Sequence, residues 1–492
     1  MLSQHLLILP VLLPALLAAL SLLLGQRLAL KRGLALLGGG AMLLLSLTLL
    51  TWADQGAIQV YRLGGWQPPF GILLQLDRLS AWMLVLTALL ALEVQAYAAV
   101  SDWDKRGAFF HELFWLQWMG LNGAFLTGDL FNLFVFFELL LIASYGLLVH
   151  GDGRARIDAG LRYVTLNLAG SALFLIAVSL LYGLTGTLNM ADMARRVAQA
   201  APGQWPWLRS AALLLFIVFA LKAALWPLNA WVRGTYAAAP GPVAALFAIM
   251  TKVGVYAIIR VYTLVFGSAS DAGSGLLTPW LPWLALGTLL LGSLLALAAR
   301  SVRGLAGGLV VGSVGMLLFG FAVATPAALA ATLYYLPHST LAVAVLYLLA
   351  DQLQLRRDAG DVLHAGGVAD KHLALLFLLA AVLLAGLPPS AGFLAKLWLL
   401  QGLPLQAPGL WLALVLLAAL LSMIALARAG SALFWQEPSG NWHAARPGTL
   451  LPASALVLMA LALSVFAEPI SSYCQRMAEQ LLLTDAYVEV LR

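Results

Sequence analysis

Charge is scarce in this chain. Of its 492 residues only 10% are Asp, Glu, Lys or Arg, while 62% are hydrophobic. Soluble domains carry about 25% charged residues, so a water-soluble fold is excluded. The one cysteine, Cys474, excludes an intrachain disulfide and any cysteine cage for a metal. The seven histidines are too scattered for a ligand motif. GxGxxG, Walker and HExxH patterns are missing, so no cofactor, ATP-driven transport or metalloproteolysis is expected. The ten-residue alternation of an outer-membrane barrel is also missing.

What fills the chain is long runs of Leu, Ala and Phe. With about 20 apolar residues needed per helical crossing, the expected fold is an all-α polytopic membrane protein forming a single integral membrane domain. Hydrophobic windows predict spans near 5–24, 33–51, 79–100, 108–127, 129–149, 160–183, 208–228 and 242–265. Six more follow near 277–299, 304–324, 327–350, 372–400, 408–435 and 449–469, making about 14. The N-terminal run lacks a basic leader and reads as a retained first span.

The net charge of +6 is accounted for by loop arginines and lysines, so no nucleic-acid partner is required. Arg27, Lys31, Arg32, Lys105, Arg106, Arg154, Arg156, Arg233, Arg300, Arg303, Arg356, Arg357, Lys371 and Arg446 fall in alternate connections. Those connections are therefore the inside ones, and both termini are predicted outside.

Three of the six lysines lie within spans. On insertion scales a central lysine costs about 2.5 to 3.5 kcal/mol, so three without water or partners would cost roughly 8 to 10. Lys222 precedes Pro227, which cannot donate to the carbonyl of Ala223 and breaks the seventh span. Lys396 lies in the twelfth span, interrupted by Gly386, Pro388, Pro389 and Gly392. Interrupted helices at mid-membrane are where transporters hold ions. Their offset of five spans predicts inverted five-helix repeats. Lys252 is central in the eighth span, too deep for easy snorkelling. Glu138 has no cation within a turn of its own helix, and His338 follows Pro337 near the centre of the eleventh span. Glu138, Lys222, Lys252, His338 and Lys396 thus form a candidate path for lateral proton transfer near mid-membrane.

Other polar residues read as structural. Asp77 and Arg78 should cap or pair at the outer face, and Arg260 should snorkel outward. Glu93 and Glu112 are candidate subunit contacts or proton-access groups. Gly304, Gly308, Gly312 and Gly315 point to close helix packing. The stretch 351–372 reads as a solvated connection.

At these residues the chain resembles the antiporter-like membrane subunits shared by respiratory complex I, membrane-bound hydrogenases and Mrp cation/proton antiporters. The matching stretches are GDLFNLFVFFELLLIASYGLL, LKAALWPLNAWVRGTYAAAPGPVAALFAIMTKVGVYAIIRVY, YYLPHSTLAVAVLYLLAD and LAGLPPSAGFLAK. GGWQPPFGILLQLDRLSAWML and GDLFNLFVFFE look most like the D subunit of the Mrp type. The resemblance implies 14 helices with inverted repeats at 107–266 and 277–435, three helices before them (1–106) and a fourteenth helix and tail after (449–492). It implies a proton path through Glu138, Lys222, Lys252 and Lys396, with His338 as a bridge. It also implies a secondary transporter subunit in a bacterial inner membrane, partnered by other membrane subunits, lipid, protons and Na⁺, with K⁺ as the alternative cation. A redox-driven proton-pumping complex is the other membership open. Two departures stand out. Val343 replaces an ionisable residue, so the connection toward Lys396 leans on His338 and water, and Gly308, Leu309 and Ser313 stand where relatives carry larger polar groups.

Overall fold

The hydrophobic runs become helices in a computed structural model that describes residues 5–67, 70–151, 153–267, 270–273, 275–364, 367–437, 443 and 446–490. Helices α1 (Leu9–Leu23) and α2 (Leu28–Asp54) lead into an antiparallel pair, β1 (Gln59–Arg62) and β2 (Leu73–Leu76), with Gln59 opposite Leu76. Next come α3 (Arg78–Val100), α4 (Phe110–Leu126), α5 (Leu130–Val149), α6 (Arg154–Thr185) and the short α7 (Met190–Ala198). The middle of the chain forms α8 (Trp205–Ala223), α9 (Ala230–Ala238), α10 (Gly241–Phe247) and α11 (Met250–Leu264). Then follow α12 (Leu281–Leu297), α13 (Val302–Ala322), α14 (Pro326–Arg356), α15 (Lys371–Ala385), α16 (Ala391–Gln401) and α17 (Gly409–Phe434). The chain closes with α18 (Leu451–Val465), α19 (Ala467–Leu482) and α20 (Thr484–Glu489).

Helix starts are encoded locally. Asp77 and Ser80 cap α3 reciprocally, Asp129 accepts from the Asn132 N–H on α5, and Ser301, Asp370 and Ser390 cap α13, α15 and α16. Thr325 caps α14, whose first residue is Pro326, where a missing N–H costs nothing. Among the described residues nine helical stretches are long and apolar enough to cross a membrane. α1, α12 and α15 are apolar but shorter. The last hydrophobic window does not continue straight, because α18 and α19 meet at 79°. The chain is therefore a multi-pass helical membrane protein.

Burial separates an axis from a periphery. The stretch Gly241–Leu264 is wholly buried, and the most apolar 18-residue stretches of α13 and α14 are 94% buried, against 22% for that of α17. Small residues allow this density. A Cβ on Gly308 would lie 2.5 Å from the Ala296 nitrogen, and one on Gly315 would collide with the Leu289 nitrogen, so α12 and α13 touch through backbone. Gly304 has no such neighbour and meets only Ser301 Oγ and Ala299 Cβ. A Cβ on Gly254 would collide with the Ala223 nitrogen, where α8 ends. Backbone cannot yield as a side chain can, so Gly254→Val is expected to leave no assembled protein in the membrane, read by immunoblot of the extracted complex.

Two expectations are corrected. The 351–372 stretch is not simply a solvated connection, because α14 continues to Arg356 and Asp351 is fully buried. Its carboxylate accepts from Tyr97 Oη (2.8 Å), Trp103 Nε1 (2.6 Å) and Arg303 Nη2 (3.0 Å). Three donors offset the cost of burying a charge. Arg260 does not snorkel outward either. It is 3% exposed and grips Asp77 with two nitrogens, at 2.5 and 2.8 Å.

Candidate functional site

Helix α8 stops one residue after Lys222. Ala224 takes left-handed geometry with φ 64°, and the Trp226–Pro227 peptide is cis. The groups freed by the break find partners from other elements, as a buried break requires. Trp231 Nε1 donates to the Leu221 carbonyl (3.0 Å), and the Trp226 N–H donates to Thr288 Oγ1 (3.0 Å). Lys222, 4% exposed, is thereby held at the end of a helix inside the molecule.

Its ammonium meets α6. Lys222 Nζ donates to Asn167 Oδ1 (3.1 Å) and lies 3.4 Å from the Asn167 carbonyl. One turn along the same face, Ser171 Oγ contacts the Asn167 carbonyl at 2.9 Å and donates to Glu138 Oε1 on α5. A Cβ on Gly170 would lie 2.6 Å from Leu221 Cδ2, so glycine there lets α8 come this close. Glu138 and Lys222 do not touch, and the amide and hydroxyl of α6 join them. Sequence reading missed Asn167 and Ser171. Their i, i+4 spacing in an otherwise apolar run was the signal. Asn167→Leu should cut cation-driven proton movement at least about tenfold, since a bridge lost at a cost near 1.4 kcal/mol is already that factor, while assembly measured by co-purification stays intact.

Lys252 on α11 is fully buried and donates to Ser313 Oγ on α13 at 2.7 Å. The small hydroxyl at 313 therefore supplies the polar contact from α13. Beyond it lies a cavity of about 30 Å³ lined by Ser313, Tyr335, Lys396, Ser293 and Ser422 among others. That is room for one or two waters, with several polar groups to hold them.

The second break differs from the first. Here the ionisable side chains themselves take the freed carbonyls: Lys396 Nζ donates to Ala385 O (3.1 Å), and His338 Nε2 donates to Leu383 O (3.0 Å). Gly386 has φ 72° and a Cβ there would lie 2.8 Å from Lys396 Nζ, while one on Gly392 would collide with His338 Nε2. Both glycines make room for the charged groups. The Pro388–Pro389 peptide is cis. His338 does not line the cavity between Ser313 and Lys396. Lys252 and Lys396 thus approach each other through Ser313, and His338 stands beside that line at the break.

Toward the C-terminal end of α11, Tyr487 Oη donates to Asp77 Oδ2 (2.7 Å), and Arg260 Nε donates to Tyr256 Oη (3.2 Å). The C-terminal α20 is so fastened to the top of α11. Among the described residues no group of three or more His, Cys, Asp or Glu could hold a metal ion.

A sequence model described as NADH:quinone oxidoreductase/Mrp antiporter, transmembrane, matches residues 127–422, which contain Glu138, Lys222, Lys252, His338 and Lys396. The chain belongs to that family. It is 42% identical to a protein of Rhizobium meliloti described as the D subunit of a probable K⁺/H⁺ antiporter, covering 97% of this chain and 96% of the relative. It is 36% identical to the D subunit of the Na⁺/H⁺ antiporter of Bacillus subtilis, with 98% of each covered. Among solved structures, a chain of the Mrp complex from Dietzia sp. DQ12-45-1b superposes with a TM-score of 0.92 at 26% identity, covering 100% of both chains. Family members of this kind are membrane subunits of larger assemblies, and the exposed leucines of α2 and α17 suit such surroundings.

Proposed function

We propose that this chain is the proton-translocating subunit of a multi-subunit monovalent cation/proton antiporter in a bacterial inner membrane, a secondary transporter and not an enzyme. Its partners are the other membrane subunits, the bilayer, protons, and Na⁺ or K⁺. In this reading there are fourteen spans, with α8–α9 as the broken seventh and α15–α16 as the broken twelfth. The units 107–266 and 277–435 are inverted five-helix repeats between the helices of 1–106 and the segment 449–492, and both termini lie outside.

The observation that carries the reading is the hydrogen-bonded line from Glu138 through Ser171 and Asn167 to Lys222. Asn167 meets Lys222 and Ser171 through its two oxygens while its amide N–H donates to the Tyr163 carbonyl, so Asn167 and Ser171 hold Glu138 and Lys222 along one polar strip and water between them carries the proton from one to the other. Lys252 with Ser313, and Lys396 across the small cavity, extend the line through the molecule. A charge change at one group alters the field at the next, which links successive transfers. His338 holds the break through the Leu383 carbonyl and can accept a proton at its other ring nitrogen, Nδ1. The names of the relatives, one for K⁺ and one for Na⁺, make the cation the open half of the reaction.

The test is to purify the chain with its partners and prepare everted vesicles carrying an imposed pH difference. Addition of Na⁺ or K⁺ is expected to collapse that difference. No response to either cation, or co-purification with flavin or iron–sulfur subunits, would contradict the proposal.

A further inference from the structure

A second cluster of ionisable groups lies away from the line just described, on the face that bears the lysine- and arginine-rich connections. There α2, the 101–109 connection and the first turn of α4 enclose a cavity of about 310 Å³, lined by Lys31, Asp104, Lys105, His111 and Glu112 among others. Lys31 Nζ meets Glu112 Oε1 at 2.5 Å, with the two side chains only 12% and 9% exposed. Arg32 bonds Asp104 (2.6 Å) and Asp102 (2.6 Å), and Arg446 also contacts Asp102.

Two atoms are left over. Glu112 Oε2 and His111 Nδ1 are buried and without a hydrogen-bond partner among the described residues, although about 90% or more of buried polar groups in proteins have one. Burial raises the Asp104 carboxyl, but bonds from Arg32 and His111 more than offset this and hold it below the ordinary range. Asp104 is thus an anion, so in the 3.2 Å contact His111 Nε2 is the donor, and Nδ1 is left facing no partner. Asp102, Asp104 and Glu112 face Lys31, Arg32, Lys105 and Arg446, and His150 caps the adjoining end of α5. With the carboxylates already matched, nothing there attracts a bare metal cation.

The orphaned groups continue inward. Gln117, fully buried, lies about 7.5 Å further along α4 than Glu112 by helical rise. Its Oε1 is unpartnered, and its Nε2 donates to Met250 Sδ at 3.3 Å, two residues before Lys252. On α3, both polar atoms of buried Gln95 are unpartnered as well.

We infer that His111 and Glu112 form a proton-exchange site joining the aqueous phase on this face to the buried line, with Gln117 carrying the connection toward Lys252. In each transfer an N–H or O–H bond of His111, Glu112 or an intervening water breaks as that of the next acceptor forms; Gln117 keeps both amide protons and its unpartnered Oε1 accepts a hydrogen bond from a water on the way to Lys252, and water supplies or takes the proton at the cavity. The inference rests on the proton-translocating reading.

It is tested in everted vesicles containing the complete complex, comparing Glu112→Gln, Lys31→Met/Glu112→Gln, Gln117→Leu and Glu138→Gln. The expected result is at least a tenfold lower rate at saturating cation in the first three, with an unchanged cation concentration for half-maximal response and normal co-purification. The double variant leaves no unpaired charge, so it carries the test if Glu112→Gln alone fails to accumulate. Recovery of the wild-type rate in the double variant would show that Glu112 only neutralises Lys31 and would overturn the inference. Wild-type rate in Gln117→Leu would overturn the connection to Lys252. An inactive Glu138→Gln beside an active double variant would sink this inference alone, whereas an active Glu138→Gln would sink the reading beneath it.

Discussion

Lys222→Ala is expected to abolish cation-driven proton movement, leaving the rate of vesicles that lack the complex, while the subunits still co-purify. Lys222 is the cation at the end of the Glu138–Ser171–Asn167 line, and its ammonium donates to Asn167 at 3.1 Å. A serial path stops when one carrier is missing, so the loss is complete and not graded. Lys222→Arg separates transfer from pairing. A guanidinium keeps the charge and length but stays protonated, so it can fill an ion pair yet cannot release a proton. Lys222→Arg is therefore expected to be as inactive as Lys222→Ala. A scaffold role for Lys222 would instead let arginine restore the wild-type rate.

Asp77→Ala is expected to cost the protein much of its stability. Asp77 is fully buried, caps α3 through the Ser80 N–H (2.9 Å), and takes two bonds from Arg260 and one from Tyr487. Removing one partner of a buried pair strands the other charge, at a cost of about 3 to 5 kcal/mol. Thermal unfolding of the detergent-solubilised complex should fall accordingly, and α20, held by Tyr487, should become open to protease. Tyr487→Phe removes the bond to Asp77 and the weaker one from Arg260 (3.4 Å) and should cost about 2 kcal/mol. Asp77→Leu/Arg260→Met, which strands no charge, should recover most of the loss. If the double variant is no better than Asp77→Ala, the stability of this end does not come from the pair.

The elements most legible in the sequence were those where covalent chemistry leaves little choice. A proline five residues after Lys222 and the Gly386–Pro388–Pro389 run announce breaks in apolar segments, and α8 and α15 end there. Lysines in such segments announce themselves by their cost. Partners were far less legible, because pairing depends on which helix faces which. Asp77 and Arg260 are separated by 183 positions, and no local pattern links them. Asp351 looked like the start of a loop because a polar stretch follows it, yet Tyr97, Trp103 and Arg303 come from distant segments to bury it. Asn167 and Ser171 passed unnoticed since single polar residues in apolar helices commonly serve as interhelical glue. Ser313 was visible as a departure from relatives, but only the approach of α11 to α13 shows that its hydroxyl suffices for Lys252. His338 was expected near the centre of the eleventh span as a bridge, while its bond to the Leu383 carbonyl sets it at the break between α15 and α16, beside the Lys252–Lys396 approach.

The central claim is that protons exchanged for the cation pass along the buried line that begins at Glu138. The most direct measurement reconstitutes the purified complex in liposomes and follows proton flux and isotopic cation flux together, in the wild type and in Glu138→Gln. Glutamine preserves size and can still bond Ser171, but it cannot carry a proton. The account expects both fluxes to fall together to the level of empty liposomes. Cation-driven proton flux persisting at the wild-type rate in Glu138→Gln would contradict it.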